Sequence, residues 1–402
     1  MSAENPQRRF PLDDSPFGMG IYPSVRTSGG ETIRAAELAR DAGIRWTRDE
    51  ISWGRLQPTR GEWRWDQFDH AIDTMRAHGV ATLGLLAYAA PWATTARTPD
   101  GKPDVVSLPD LAAWKEYVGA VVERYRDRVH AWQMWNEPNG TGFWHPKPDA
   151  KEYARLFLAG AQAAKAADPT CWIAGSAISM MDLAYIRALF DEGGWEKTDI
   201  ITIHPYRYPH TPEGADLLGE LLHLAELSAD YGGVKPIWMT EFGYPAFTGP
   251  GGCTDWWSAV MLMRTYLVSW ASGIVGKVFW YDFRDDGDDP GYSEARFGII
   301  RRDWTPKMAY EAFRTMTTSL DGFQPVGRID LGSDVYLLRF QRLDREQRYV
   351  VWAIRQNVRR PVPVPASRVK LVKPWAEPRT VEAPGGWLML HIDATPTFLV
   401  PA

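Results

Sequence analysis

The run His130-Ala131-Trp132-Gln133-Met134-Trp135 is largely apolar and gives way at once to Asn136-Glu137-Pro138-Asn139. Its length suits a buried strand, and Pro138 between polar neighbours marks the loop that follows. Seven more runs of this kind stand along the chain: Phe17–Tyr22, Ile44–Ile51, Ala81–Ala89, Cys171–Ala177, Ile200–His204, Ile237–Thr240 and Lys277–Tyr281. Helix-like patterns lie between them. Leu111, Trp114, Tyr117, Val118, Val121, Val122 and Tyr125 follow helical spacing, as do Tyr153, Leu156, Phe157, Gly160, Ala161 and Ala164. Ser107-Leu108-Pro109-Asp110 and Asp149 supply helix start signals ahead of these two stretches. Eight strand-like runs alternating with helices over roughly 300 residues predict an α/β chain folded as a (β/α)8 TIM barrel. A doubly wound open sheet needs a phosphate-binding glycine-rich turn after an early strand, and none is evident.

The pattern changes after Leu320. Asp334–Phe340, Arg348–Ile354, Arg368–Val372 and Trp387–Ile392 are short β-rich runs broken by Pro and Gly, and Pro361-Val362-Pro363-Val364-Pro365 excludes helix. The expected organisation is an N-terminal tail (1–15), a catalytic barrel (16–320) and a small antiparallel, sandwich-like β domain (321–402) with a structural role.

A 402-residue chain suits a large barrel with an appendage, and 45% hydrophobic residues can fill its core. A net charge of −5 gives no electrostatic reason to expect nucleic acid or a membrane as partner. Cys171 and Cys253 lack metal-ligand spacing and read as two unpaired thiols, with one disulfide as the alternative. The polar stretch Met1–Asp14 has no apolar segment behind Arg8 and Arg9, so neither a signal peptide nor an anchor is expected. The compartment stays open: cytoplasmic as written, secreted if a leader was trimmed. The twenty tryptophans exceed ordinary usage; most suit packing, and flat aromatic faces also stack on sugar rings.

In a barrel the loops after the strands form the active face. Arg48, Tyr88, Trp92, Asn136, Glu137, His204, Tyr206, Glu241 and Trp280 fall at those strand ends. A glutamate at the end of a buried strand carries a desolvation cost of several kcal/mol unless paired. Buried ion pairs to arginines such as Arg48 are the structural explanation of Glu137 and Glu241. The functional one is that two carboxylates delivered to one pocket are what glycosidic-bond hydrolysis needs.

Trp132 to Asn139, followed by Gly142-Phe143-Trp144, resembles the acid/base signature of clan A glycoside hydrolases, family 39 and its bacterial relatives acting on xylosides or exopolysaccharides above all. Ile200-Ile201-Thr202-Ile203-His204-Pro205-Tyr206 is similar to the sixth strand of that clan, and Trp238-Met239-Thr240-Glu241-Phe242-Gly243 to its nucleophile strand. Phe279-Trp280-Tyr281-Asp282 resembles its eighth strand, and Phe297-Gly298-Ile299-Ile300 with Thr305-Pro306-Lys307 the run into the last barrel helix. The likeness covers residues 16 to 318 in the clan's order.

The resemblance implies retention of anomeric configuration, for which the carboxyls stand about 5–5.5 Å apart. Glu241 would attack the anomeric carbon. Glu137 would protonate the departing oxygen and then deprotonate water, its two roles following the charge on Glu241. Arg48 and Tyr206 would keep Glu241 ionised, Asn136 would donate to the sugar 2-hydroxyl, and His204 would orient a hydroxyl or Tyr206. Trp280 would floor the sugar site, with Tyr88, Trp92 and Trp144 shaping the cleft. No cofactor and no metal are expected. His204, Tyr206 and His210 have no carboxylate at a useful spacing, and Asp285-Asp286-Gly287-Asp288-Asp289 lacks the glutamate of a calcium loop.

The expected function is hydrolysis of β-linked sugars in oligo- or polysaccharides by double displacement. Exo attack on xylosides and endo attack on exopolysaccharide both fit. A transglycosylase, an α-L-glycoside hydrolase and a catalytically silent carbohydrate-binding barrel are the alternatives, and oligomeric state is open.

Overall fold

The computed structural model describes residues 15–402. Residues 1–14, and with them nearly all of the expected N-terminal tail, lie outside the described residues. Eight parallel strands close a barrel in sequence order: β1 (Phe17–Gly20), β2 (Trp46–Ser52), β3 (Ala81–Ala87), β4 (Ala131–Met134), β5 (Trp172–Ser179), β6 (Ile200–His204), β7 (Ile237–Phe242) and β8 (Val275–Trp280). Each strand is followed by a helix: α1 (Gly30–Ala42), α2 (Asp66–Ala77), α3 (Leu111–Tyr125), α4 (Ala150–Ala167), α5 (Leu183–Leu189), α6 (Leu217–Asp230), α7 (Asp255–Ala271) and α8 (Met308–Leu320). Asp110 caps α3 through the Ala113 N–H, and Asp149 caps α4 through the N–H groups of Lys151 and Glu152. Each satisfies donors that a helix leaves orphaned.

Strand side chains alternate between the barrel interior and the helix layer. Trp46, Ala81, Leu83, Ala131, Ala174, Ile200, Trp238 and Phe279 form one interior cluster. Their alternate neighbours, such as Met239, Val278 and Trp280, pack against the helices instead. Two departures from this alternation build the active face. The β7–β8 register shifts between Met239 and Phe242, so Thr240 and Glu241 both reach the barrel mouth. After β4, Trp135 (φ 70°) and Glu137 (φ 45°) adopt the left-handed conformation, which costs on the order of 1–3 kcal/mol per residue. Trp135 thereby turns into the helix layer while Asn136 and Glu137 both enter the cleft. Backbone hydrogen bonds from Trp135 N to Leu86 O (2.9 Å) and from Glu137 N to Ala177 O (2.9 Å) hold the segment in place.

Beyond α8 come β9 (Gln324–Ile329), β10 (Val335–Gln341), β11 (Gln347–Ala353), β12 (Val358–Pro363), β13 (Arg368–Val372), β14 (Arg379–Glu382), β15 (Trp387–Ile392) and β16 (Thr397–Pro401). They form a six-stranded sheet in the order β14-β13-β16-β11-β10-β9 and a two-stranded ladder, β12-β15. The proline-rich stretch enters that ladder, which has open edges, as prolines require. Leu338, Phe340, Val350, Trp352 and Phe398 join the hydrophobic cluster of the barrel helices. Trp352 Nε1 donates to Glu213 Oε1 at 2.8 Å, and Glu213 pairs with Arg264 of α7. Cys171 and Cys253 are free thiols. No helix among the described residues is long and apolar enough to cross a membrane.

Candidate active site

At the C-terminal mouth of the barrel lies a cleft of about 640 Å³, lined by residues from the ends of several strands. Arg48 of β2 is its hub and is almost wholly buried. Its Nε donates to Gln133 Oε1 (2.6 Å), its Nη2 to Asn136 Oδ1 (2.7 Å), and its Nη1 to Tyr22 Oη (2.8 Å) and to Glu241 Oε1. Gln133 in turn donates to Thr202 Oγ1 (2.9 Å) and Thr240 Oγ1 (3.1 Å), which ties β4, β6 and β7 together beneath the site.

Glu241 also accepts from Tyr206 Oη at 2.8 Å and Tyr22 Oη at 3.2 Å. Burial alone would raise its carboxyl, but the charges of His204 and Arg48 and the two tyrosine hydroxyls outweigh it. Glu241 is held below its ordinary value, which favours its ionised form. Glu137 Oε1 lies 2.8 Å from His204 Nδ1, and His204 Nε2 lies 3.0 Å from Thr240 Oγ1. One ligand atom each of Glu137, His204 and Glu241 falls within 4.8 Å of the others. Two further carboxyls line the cleft, Glu50 and Glu294, and burial pushes both upward.

Residues 43–217 match the model of the family described as "Glycosyl hydrolases family 39". The chain is a glycoside hydrolase similar to family 39. No curated protein matches its sequence. Its fold is shared with a family 39 glycoside hydrolase from the gut symbiont Bacteroides cellulosilyticus WH2 (TM-score 0.83, 23% identity, covering 97% of this chain and 82% of that one). A family 39 β-xylosidase from Caulobacter crescentus superposes with TM-score 0.72 at 17% identity, over 98% of each chain. The family 39 enzyme of Xanthomonas axonopodis pv. citri gives 0.70 at 16% identity, over 96% and 94%.

The hydrolase brings Arg48, Tyr88, Asn136, Glu137, Tyr206 and Glu241 to the cleft. His204 is wholly buried and reaches the cleft through Glu137. Besides His204, three expected substrate-binding residues do not line it. Trp280, 0% exposed, points into the helix layer against Phe242 and Tyr244. Strand parity explains the difference: Phe279 faces the barrel interior, Trp280 faces outward, and Tyr281 comes back to the cleft. Trp144, also fully buried, is wedged between Trp135 and Tyr153 and donates to Glu152 Oε2 (2.9 Å), leaving Phe143 on the cleft wall. Trp92 packs edge-on against Trp53 and donates to Gln57 O (2.8 Å).

Sequence reading missed Tyr22, Glu50, Gln133 and Tyr281. Tyr22 and Tyr281 end their apolar runs, so the strand-end rule that found Glu137 applied equally to them. Glu50 and Gln133 share the inward parity of Arg48 and Ala131 on their strands, a signal that was there to be used. The acidic loop after β8 is engaged by cations: Asp285 by Lys307 and Arg296, Asp286 by Arg26, and Asp288 by Arg302.

Proposed function

We propose that this hydrolase cleaves β-linked sugars in oligo- or polysaccharides with retention, Glu241 acting as nucleophile and Glu137 as acid/base. The observation that carries the reading is the carboxylate pair. An oxygen of Glu137 and one of Glu241 lie within 4.8 Å, in keeping with the separation of about 5–5.5 Å that double displacement needs and with too little room for an intervening water. Glu241 is braced by Arg48, Tyr22 and Tyr206, so it enters the reaction ionised. Attack on the anomeric carbon forms a glycosyl ester while Glu137 passes its proton to the departing oxygen. Water then attacks the same carbon, Glu137 takes its proton, and Glu241 leaves as carboxylate.

Asn136 supports the same chemistry. Arg48 occupies its Oδ1, which turns its amide N–H groups toward the cleft and Tyr88. Such a donor suits a sugar 2-hydroxyl, a contact that strengthens in the transition state. His204 and Thr240 fix the carboxyl of Glu137, and Tyr281 contributes an aromatic ring to the cleft wall.

A proton NMR time course on aryl β-glycosides and β-linked oligosaccharides, xylosides first, tests this. The expected first product is the β-anomer, with no turnover by Glu241→Ala. An α-anomer appearing first means inversion and removes Glu241 from the nucleophile's role.

A further inference from the structure

Glu50 lines the cleft one strand alternation beyond Arg48, yet it stands outside the network that Arg48 organises. It forms no ion pair among the described residues, and its side-chain hydrogen bond goes to Ser52. Its strand neighbour is Leu85 of β3, which also lines the cleft, and its charge is felt by Tyr88. Glu294 sits on the turn Ser293–Arg296 after β8, where its charge adds to those of Glu137 and Glu241. Four glutamates therefore line one cleft.

Two guanidiniums line it as well, and both are occupied. Arg48 spends its donors on Gln133, Tyr22, Glu241 and Asn136. Arg26 spends its own on Asp282, Asp286 and Tyr281. Arg55, the next cation toward Glu50, lines a neighbouring pocket and donates to Val25 O at 2.8 Å. A sugar carboxylate entering this cleft meets acceptors of its own sign and no open fork to bind it. A neutral ring meets the reverse: Glu50 is an acceptor with lone pairs free for hydroxyl groups.

We propose that Glu50 and Glu294 set the cleft for uncharged sugars, Glu50 accepting hydroxyls of a ring bound beside Glu241 and both carboxylates repelling uronates. This rests on the glycosidase reading above.

The test compares 4-nitrophenyl β-D-xyloside, β-D-glucoside and β-D-glucuronide, and their β-linked oligosaccharides, in wild type, Glu50→Gln and Glu294→Gln. The glucuronide is the xyloside with a carboxylate added at C5. Expected in wild type is a kcat/KM at least about 100-fold higher for the faster neutral sugar than for the glucuronide. Glu50→Gln should narrow that ratio at least tenfold and Glu294→Gln less. A general loss of folded protein lowers all substrates alike and leaves the ratio unmoved. Equal cleavage of the glucuronide, or a ratio indifferent to both substitutions, overturns the inference and leaves the glycosidase reading intact. No cleavage of any neutral or anionic member overturns both.

Discussion

Glu137 Oε1 lies 2.8 Å from His204 Nδ1, while the same nitrogen is 3.8 Å from Glu241 Oε2. One buried imidazole thus touches the proposed acid and faces the proposed nucleophile, and Thr240 fixes its other nitrogen. The two carboxylates share a common support, and what each does depends on the partners they do not share.

For Glu241 those partners are Arg48, Tyr22 and Tyr206. Because the charge of His204 together with these partners holds its carboxyl below the ordinary value, the acid limb of the kcat/KM profile should fall below the usual carboxylate range. Tyr206→Phe removes a charge-assisted hydrogen bond worth about 1.5–3 kcal/mol, so that limb should move upward in pH. A pH–rate profile checks this; an unmoved limb would show that Glu241 does not set it.

Trp280 and Tyr281 separate packing from binding. Trp280→Ala empties a fully buried site and should lower stability by about 3–5 kcal/mol, read as a fall in Tm. Tyr281→Ala should leave most of that stability and raise KM roughly fivefold, the loss of an aromatic contact of about 1 kcal/mol. A reversed pattern would return Trp280 to the sugar site.

Asp49 is fully buried, with Ser24 donating to it from N (3.0 Å) and Oγ (2.6 Å). Burial pushes its carboxyl up to about 7, against only partial relief from those hydrogen bonds. The folded state therefore binds this proton more tightly than the unfolded chain does. The resulting stability is present in full below the ordinary carboxylate value and is lost as pH rises through about 7. The Tm of wild type relative to Asp49→Asn should fall between pH 4 and 7 and level off above. A difference that rises with pH would mean that Asp49 is ionised in the fold.

Arg264 and Glu213 are 0% and 3% exposed and link the barrel to Trp352 of the β-rich C-terminal part. Arg264→Leu strands a buried carboxylate and should cost about 3–5 kcal/mol in a denaturant titration. Arg264→Leu with Glu213→Gln should recover part of it. No recovery would place the loss in packing rather than in charge.

The barrel was legible because its strands are short apolar runs and its helices keep a 3.6-residue period, as Leu111 to Tyr125 does. Of the later strands, β13 and β15 matched their runs, whereas β9, with Gly327 and alternating exposure, carries no apolar run to read. The site was legible where a residue type announces itself, as with Glu137 and Glu241 after apolar strands. It was not legible where one step of parity decides between core and cleft. Trp280 and Tyr281, or Phe143 and Trp144, are equally aromatic in sequence; strand phase sorts the first pair, and the packing of Trp144 against Trp135 and Tyr153 sorts the second.

The most direct measurement is the intact mass of Glu137→Ala after reaction with a 2,4-dinitrophenyl β-glycoside that wild type cleaves. That leaving group needs little acid help, so the first step should proceed while water attack, deprived of its base, slows by about 10²–10⁴-fold. The expected result is protein heavier by one sugar, with the addition mapped to Glu241 and absent from the Glu137→Ala, Glu241→Ala double variant. A sugar mapped to another residue, or dinitrophenol release with an inverted product and no adduct, would contradict double displacement through Glu241.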